Sequence, residues 1–396
     1  MTTTGKSPKT QANLGVNTRL AHDGYNPRDY HGFVNPPVVH ASTVLFPDAA
    51  TMKTERQAYT YATHGTTTTD ALCSAIDALE GSDYTALLPS GLAAVTVPLL
   101  AFLKSGDHLL MVDSIYHPTR RFANTMLKGL GIETGYYPPE AGAGIAAYMK
   151  HNTRVVFTES PGSNTLEMQD IPAIAKAAHA AGAIVMMDNT WATPLFFKPL
   201  DYGVDISIHA ATKYPAGHSD VLLGTASANA ACAQTLKKAI RDLGLCVGGD
   251  DAYQVLRGLR TMGVRLERHQ QSALALAQWL DTDPRVARVL HPGLPSFPGH
   301  DIWKRDCCGS SGLFSIVLNG GGEREAHAFL NALQTFGLGY SWGGFQSLAM
   351  QVWFGDRIFS TAPSEGPVIR LNIGLEDTVD LLADIERGLA AAFPET

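Results

Sequence analysis

Two β-rich runs near the middle of the chain, residues 183–187 (AIVMM) and 205–209 (DISIH), limit the architecture that can form around them. Both are short and dominated by apolar residues, which suits strands buried on both faces of a parallel sheet. Such sheets occur where helices cover both sides. The first run ends at Asp188, and the second ends a few residues before Lys213. Ligands of open α/β sheets sit beyond the carboxyl ends of the strands, so this fold would deliver an acid and a lysine to one place.

The flanking sequence keeps the same rhythm. A helix over residues 70–79, closed by Gly81, precedes a short strand that begins near Thr85 and turns through Ser90-Gly91-Leu92 into another helix. Strand 108–112, helix 118–129, strand 154–158 and helix 171–181 lead to the first run, while strand 222–226 and helix 231–243 follow the second. This alternation predicts an α/β fold with a mostly parallel sheet. Residues 250–280 read as one long helix without proline, interrupted only by Gly258 and Gly263, that bridges two domains. Strands at 286–290, 313–318 and 368–373 and helices at 324–333 and 377–392 predict a smaller α+β C-terminal domain.

A length of 396 residues is too great for one simple core. The expected division is an N-terminal arm over 1–60, a large domain over 61–256 and a C-terminal domain over 257–396. Residues 1–13 are polar and predict disorder; the aperiodic stretch after them predicts an arm that embraces a neighbouring subunit.

A net charge of −7 argues against nucleic acid or an anionic membrane as the main partner. No run is long enough to span a bilayer and the N-terminus has no apolar signal core, which together predict a cytoplasmic protein. The five cysteines are odd in number and show no C-x-x-C spacing, so reduced thiols are expected rather than disulfides or a metal site.

An acid and a lysine at adjacent strand ends suit pyridoxal phosphate (PLP). The lysine would carry the cofactor as a Schiff base, and the carboxylate would keep the ring nitrogen protonated. The Ser90-Gly91-Leu92 turn is a phosphate cradle built from backbone N–H groups at a helix start. It lacks the G-x-G-x-x-G spacing of a dinucleotide site, which counts against NAD. Arg370 lies inside an apolar strand, where a guanidinium is costly without a partner. A bidentate substrate carboxylate or an internal salt bridge would both serve.

Tyr61, Ser90-Gly91-Leu92, Tyr116, Asp188-Asn189-Thr190-Trp191, Ala211-Thr212-Lys213-Tyr214, Gly217-His218-Ser219-Asp220, Tyr340-Ser341-Trp342-Gly343-Gly344 and Arg370-Leu371-Asn372-Ile373-Gly374 stand in this order. In this the chain resembles the Cys/Met-metabolism family of PLP enzymes, and within it the bacterial cystathionine β-lyase branch, from about residue 14 onward. The resemblance implies a PLP-dependent transferase (type I aminotransferase-like) fold. It makes Lys213 both the cofactor lysine and the base for the Cα proton, and Asp188 the partner of the ring nitrogen. Ser90, Gly91, Leu92 and Thr212 would surround the phosphate, and Tyr116 would stack on the ring near the substrate amine. Arg370 would take the substrate α-carboxylate.

Tyr340, Ser341 and Trp342 would carry the choice of reaction. The family's γ-acting members often have a smaller aliphatic or acidic residue at the position of Trp342, so a tryptophan implies Cβ–S cleavage. The implied activity is β-elimination of L-cystathionine to homocysteine, pyruvate and ammonia, as in methionine biosynthesis. A related C–S lyase, a γ-acting lyase or synthase, and a PLP-binding regulatory protein are the alternatives. The family also implies a homo-oligomer, commonly a tetramer of two dimers, with Tyr61 reaching the neighbour's site. The chain departs from the family at Thr63, followed by His64, where the usual motif is Tyr-x-Arg with the arginine on the neighbour's cofactor phosphate. Neither residue reproduces a bidentate guanidinium.

Overall fold

The computed structural model describes residues 14–359 and 363–394, so the tail expected to be disordered lies outside the described residues. Seven strands form the larger sheet: β1 (Tyr84–Leu88), β2 (His108–Val112), β3 (Glu133–Tyr137), β4 (Thr153–Glu159), β5 (Ile184–Asp188), β6 (Ile206–Ala210) and β7 (Gly224–Ala228). Their spatial order is β1-β7-β6-β5-β4-β2-β3. Strands β3, β2, β4, β5 and β6 pair in parallel, as the two central runs led us to expect. β7 runs antiparallel to both β6 and β1. The segment joining β6 to β7 carries no helix, and a strand that returns without a crossover helix pairs antiparallel.

Burial explains the composition of the strands. Val185, Met186 and Met187 of β5 have no solvent exposure, because helices cover both faces of the sheet. Strand β3 carried no sequence signal because it is an edge strand of mixed residues, with only Tyr137 buried. The helix Thr67–Glu80 starts at a capping box, in which Thr66 and Thr69 each accept from the other's backbone N–H, and it stops at Gly81 with φ 77°. Its Leu72, Ile76 and Leu79 form one apolar stripe, packed with the long helix Gly249–Leu280 in a single cluster.

That long helix has 32 residues and is therefore about 48 Å in length. It is continuous through position 256, where the boundary between the domains was expected. Gly258 does not weaken it in this setting. A Cβ there would lie 2.3 Å from the carbonyl oxygen of Pro215, so glycine is what lets the helix approach the segment following Lys213.

A second sheet of five strands follows: β8 (Val286–Leu290), β9 (Leu313–Leu318), β10 (Gly337–Leu338), β11 (Leu348–Val352) and β12 (Val368–Asn372), ordered β10-β11-β12-β9-β8. β12 is interior to this sheet and sets Arg370 between Met350 of β11 and Ser315 of β9. β10, β11 and the helix His300–Asp306 are short and carry no clear periodicity. Among the described residues no helix is long and apolar enough to cross a membrane, and no group of His, Cys, Asp or Glu side chains is arranged to hold a metal ion. The five cysteines are free thiols.

Candidate active site

Strands β4 and β5 end side by side on Glu159 and Asp188, which are register partners. The Asp188 carboxylate is held by Thr190, whose backbone N–H and hydroxyl both donate to Oδ1, at 3.0 and 2.5 Å. The same hydroxyl accepts from the backbone N–H of Ala210 at 3.0 Å, tying the end of β5 to the end of β6. Burial raises the pKa of Asp188, and the two Thr190 hydrogen bonds oppose that rise. Because both bonds fall on Oδ1, Oδ2 is left to accept from a ligand.

Lys213 follows β6, and its backbone N–H donates to the Ala210 carbonyl at 2.9 Å. Its Nζ donates to Ser341 Oγ and lies 5.2 Å from the centre of the Trp342 ring. Burial, then the positive charge of Arg370, lower its pKa to about 8; Asp188 acts in the opposite sense. The amine therefore gives up its proton well below the ordinary lysine range. Ser341 reaches the lysine from a left-handed turn, φ 78°. The Trp342 ring lies 5.5 Å from that of Tyr214 and packs against the apolar clusters beneath both sheets.

Arg370 extends from β12 into the same region. Its Nη1 donates to Asn164 Oδ1 at 3.3 Å and its Nη2 to the carbonyl of Ser341 at 3.2 Å. No carboxylate pairs with it among the described residues, which disfavours the internal salt bridge and leaves the guanidinium suited to an anion. Burial alone takes its pKa down to about 10. Tyr116 is held through its backbone N–H, which donates to Glu159 Oε2 at 2.8 Å, while its side chain is half-exposed. Burial, then the charges of Asp188 and Glu159, raise the pKa of its phenol. Glu159 itself is pushed well above the usual carboxylate range by burial and by Asp188 beside it.

The candidate phosphate cradle lies at the start of the helix Gly91–Phe102. Ser90 caps it, its hydroxyl accepting from the backbone N–H of Ala93 at 3.1 Å. The N–H groups of Gly91 and Leu92 precede the first intrahelical donors and point out of the helix. A Cβ on Gly91 would stand 2.5 Å from Ala210 Cβ, so only glycine brings this helix end against β6. Thr212 adjoins Lys213, but its hydroxyl is engaged with Leu223: it donates to the carbonyl at 3.2 Å and accepts from the N–H at 3.0 Å.

Tyr61 stands apart from this group. Tyr61 and Thr63 line a separate cleft of about 490 Å³, with His40 and residues 246–250 at the start of the long helix. Tyr61 is half-exposed there, and the His64 ring bonds the Thr60 hydroxyl rather than a site residue. Tyr340 is 83% exposed, at the rim beside Ser341. Thr190, Glu159 and Asn164 are the supporting residues that pattern reading did not assign. Asn164 gave no signal at all, whereas Thr190 sits within the motif read for Asp188 and Glu159 directly follows the strand expected over 154–158.

The family model for Cys/Met metabolism PLP-dependent enzymes matches residues 17–390. The chain belongs to this family. It is 65% identical over 384 residues to a Rhizobium johnstonii protein named "Putative cystathionine beta-lyase", with 96% of this chain and 97% of that one covered. It is 42% identical to the cystathionine beta-lyase of Escherichia coli, covering 96% of this chain and 99% of the relative. The fold is similar to the crystal structure of cystathionine gamma synthase from Xanthomonas oryzae, with a TM-score of 0.89 and 32% identity over 96% of this chain and 98% of that one. The Cys/Met metabolism PLP-dependent enzymes use PLP, and this chain is one of their carbon–sulfur lyase-like members.

The residues fit that cofactor. An amine with a lowered pKa faces a carboxylate with one oxygen available, and a helix start that tolerates no Cβ presents N–H groups to a phosphate. Lys213, Asp188, Gly91 and Leu92 are the groups that could hold PLP.

Proposed function

We propose that this protein catalyses the β-elimination of L-cystathionine to homocysteine, pyruvate and ammonia, acting in the cytoplasm. The observation that carries this reading is Trp342, a rigid ring beside the Lys213 amine and wedged against Tyr214. A ring there restricts the distal arm of the substrate and favours departure of sulfur from Cβ. The names of the two similar proteins point the same way.

PLP supplies the electron sink for the charge left when Cα loses its proton. Lys213 is the base that takes this proton, its affinity for it weakened by burial and by Arg370. The Ser341 hydroxyl steadies Nζ between transfers. Asp188, oriented by Thr190, would keep the ring nitrogen of PLP protonated. Arg370 grips the substrate α-carboxylate with a fork that no carboxylate among the described residues neutralises. Tyr116, fixed at its backbone by Glu159, would help to hold the cofactor and the substrate amine. Gly91 and Leu92 would hold the phosphate, and Thr212 could join them only by giving up its bond to the Leu223 carbonyl.

Tyr61, which lines a cleft that Lys213 does not, serves the site of a second copy. The working form in this reading is a homo-oligomer, a dimer of dimers with shared sites, built from an arm (1–60), a PLP domain (61–256) and a C-terminal domain (257–396). A γ-acting lyase or synthase is the second reading, favoured by the likeness to the gamma synthase structure.

Keto-acid identification after incubating PLP-loaded protein with L-cystathionine tests the proposal, with Lys213→Ala as control. Pyruvate plus homocysteine, absent from the variant, is the expected result. Predominant 2-oxobutyrate would transfer the protein to the γ-lyases, and no product from cofactor-loaded protein would favour a regulatory role.

A further inference from the structure

Residues 353–359, which follow β11, lead from the small sheet to the turn that follows β4. Arg357 among them has a side chain only 8% exposed. It grips that turn on both sides of Asn164: Nη1 donates to Thr165 Oγ1 at 2.7 Å and to Glu167 Oε1 at 3.0 Å, and Nη2 to the Ser163 carbonyl at 2.7 Å. The same segment is pinned beside Arg357 by the Asp113 carboxylate, which accepts from the backbone N–H of Ile358 at 2.9 Å and of Phe359 at 2.7 Å. Arg120 donates to the Asp356 carbonyl at 2.8 Å.

Asn164 sits in the left-handed region, φ 66°, a conformation asparagine tolerates better than most residues. Its carbonyl accepts from Ser315 Oγ at 2.7 Å, and its side-chain oxygen accepts from Arg370 Nη1. Ser315 and Arg370 are themselves register partners on β9 and β12. The turn is thus clamped by Arg357 from one side and by Ser315 from the other, with Arg370 bonded to the residue between.

We propose that Arg357 is a positioning residue for recognition of the substrate carboxylate, holding Asn164 so that Asn164 orients the Arg370 fork. The proposal rests on the reading that Arg370 binds the α-carboxylate. A guanidinium grips a carboxylate through two parallel bonds only while its plane is held. Asn164 and the Ser341 carbonyl each take one terminal nitrogen of Arg370, and together they set that plane. The Asn164 bond is already long at 3.3 Å, so a small slip of the turn breaks it and lets the fork rotate. An Arg357–Glu167 ion pair with no role beyond stability would not discriminate between ligands with and without a carboxylate.

The test compares L-alanine with L-alaninamide as ligands of the PLP-loaded protein, titrated through the visible absorbance of the cofactor. Arg357→Met is expected to weaken L-alanine about tenfold, the scale of one charged hydrogen bond, and to change L-alaninamide by less than about twofold. Arg357→Lys should fall between wild type and Arg357→Met. Asn164→Gly keeps the left-handed backbone but removes the side-chain oxygen, and it should reproduce the carboxylate-selective loss even where an Arg357 variant fails to fold. Adding Arg357→Met to Asn164→Gly should then cost nothing more.

Equal weakening of both ligands, or no weakening in either variant, overturns the proposal. Loss of L-alanine in Arg370→Met with full binding in the Arg357 and Asn164 variants overturns it alone. Failure of the wild-type protein to prefer the amino acid over its amide removes the Arg370 reading and this proposal with it.

Discussion

Replacing Gly91 by alanine puts a methyl carbon 2.5 Å from Ala210 Cβ and 3.0 Å from Ala210 Cα. Carbon atoms pack at about 3.5–4.0 Å, so the helix Gly91–Phe102 has to retreat from β6 by about 1 Å. The N–H groups of Gly91 and Leu92 retreat with it. A hydrogen bond to phosphate that forms at about 2.9 Å would stretch to about 3.9 Å, beyond bonding distance. A bond to a charged acceptor contributes roughly 1.5–3 kcal/mol, so losing one lowers PLP affinity by about 10- to 100-fold. Overpacking adds roughly 1–3 kcal/mol of lost stability. Titration of the apo-protein with PLP, beside a thermal melt, reads both effects. Adding Ala210→Gly removes the tighter contact and leaves the one at 3.0 Å, which cuts the required retreat to about half and should restore most of the affinity. A Gly91→Ala protein that binds PLP like wild type, or a double variant no better than the single, would refute the cradle.

Two further outcomes follow from the same geometry. With the Lys213 amine at a pKa of about 8, the rate of PLP capture by apo-protein should reach half its plateau near pH 8. Arg370→Met should move that midpoint up and Asp188→Asn should move it down; a wild-type midpoint at the ordinary 10.5 would contradict this. The folded pKa lies below the unfolded one, so between about 8 and 10.5 the unfolded chain binds the proton more tightly, and this group's contribution to stability grows as pH rises through that window. Melting curves of wild type against Lys213→Met across the window check the sign. Thr63→Arg restores a guanidinium beside Tyr61 and should slow cofactor loss from the assembled protein. Because Thr63 lines a cleft that its own Lys213 does not, the gain should persist in mixed oligomers where only the partner carries the substitution.

Legibility of the fold followed the length and regularity of each signal. Residues 183–187 and 205–209 were readable because full burial leaves a continuous apolar mark, and β5 and β6 appear with at most one residue of displacement. β3 and β11 were silent because partial exposure blurs the same mark. The antiparallel sense of β7 was silent for another reason, since direction is set by the connection and not by the strand's own residues. Asp188, Lys213 and Arg370 could be named because each is a charged residue in or just beyond an apolar strand. Thr212 shows the limit of naming: its identity was evident, whereas its bonds to Leu223 were not.

By itself the sequence determined the two central buried strands, the long helix and the family, because these depend on short windows and on motif order. Tertiary structure alone decided what supports the chemistry. Asn164 meets Arg370 across 206 positions and Arg357 meets Thr165 across 192, distances at which no local pattern carries information. It also decided that Gly91 and Gly258 are contact points rather than weak places, since what a missing Cβ avoids is a neighbour that only the folded chain supplies.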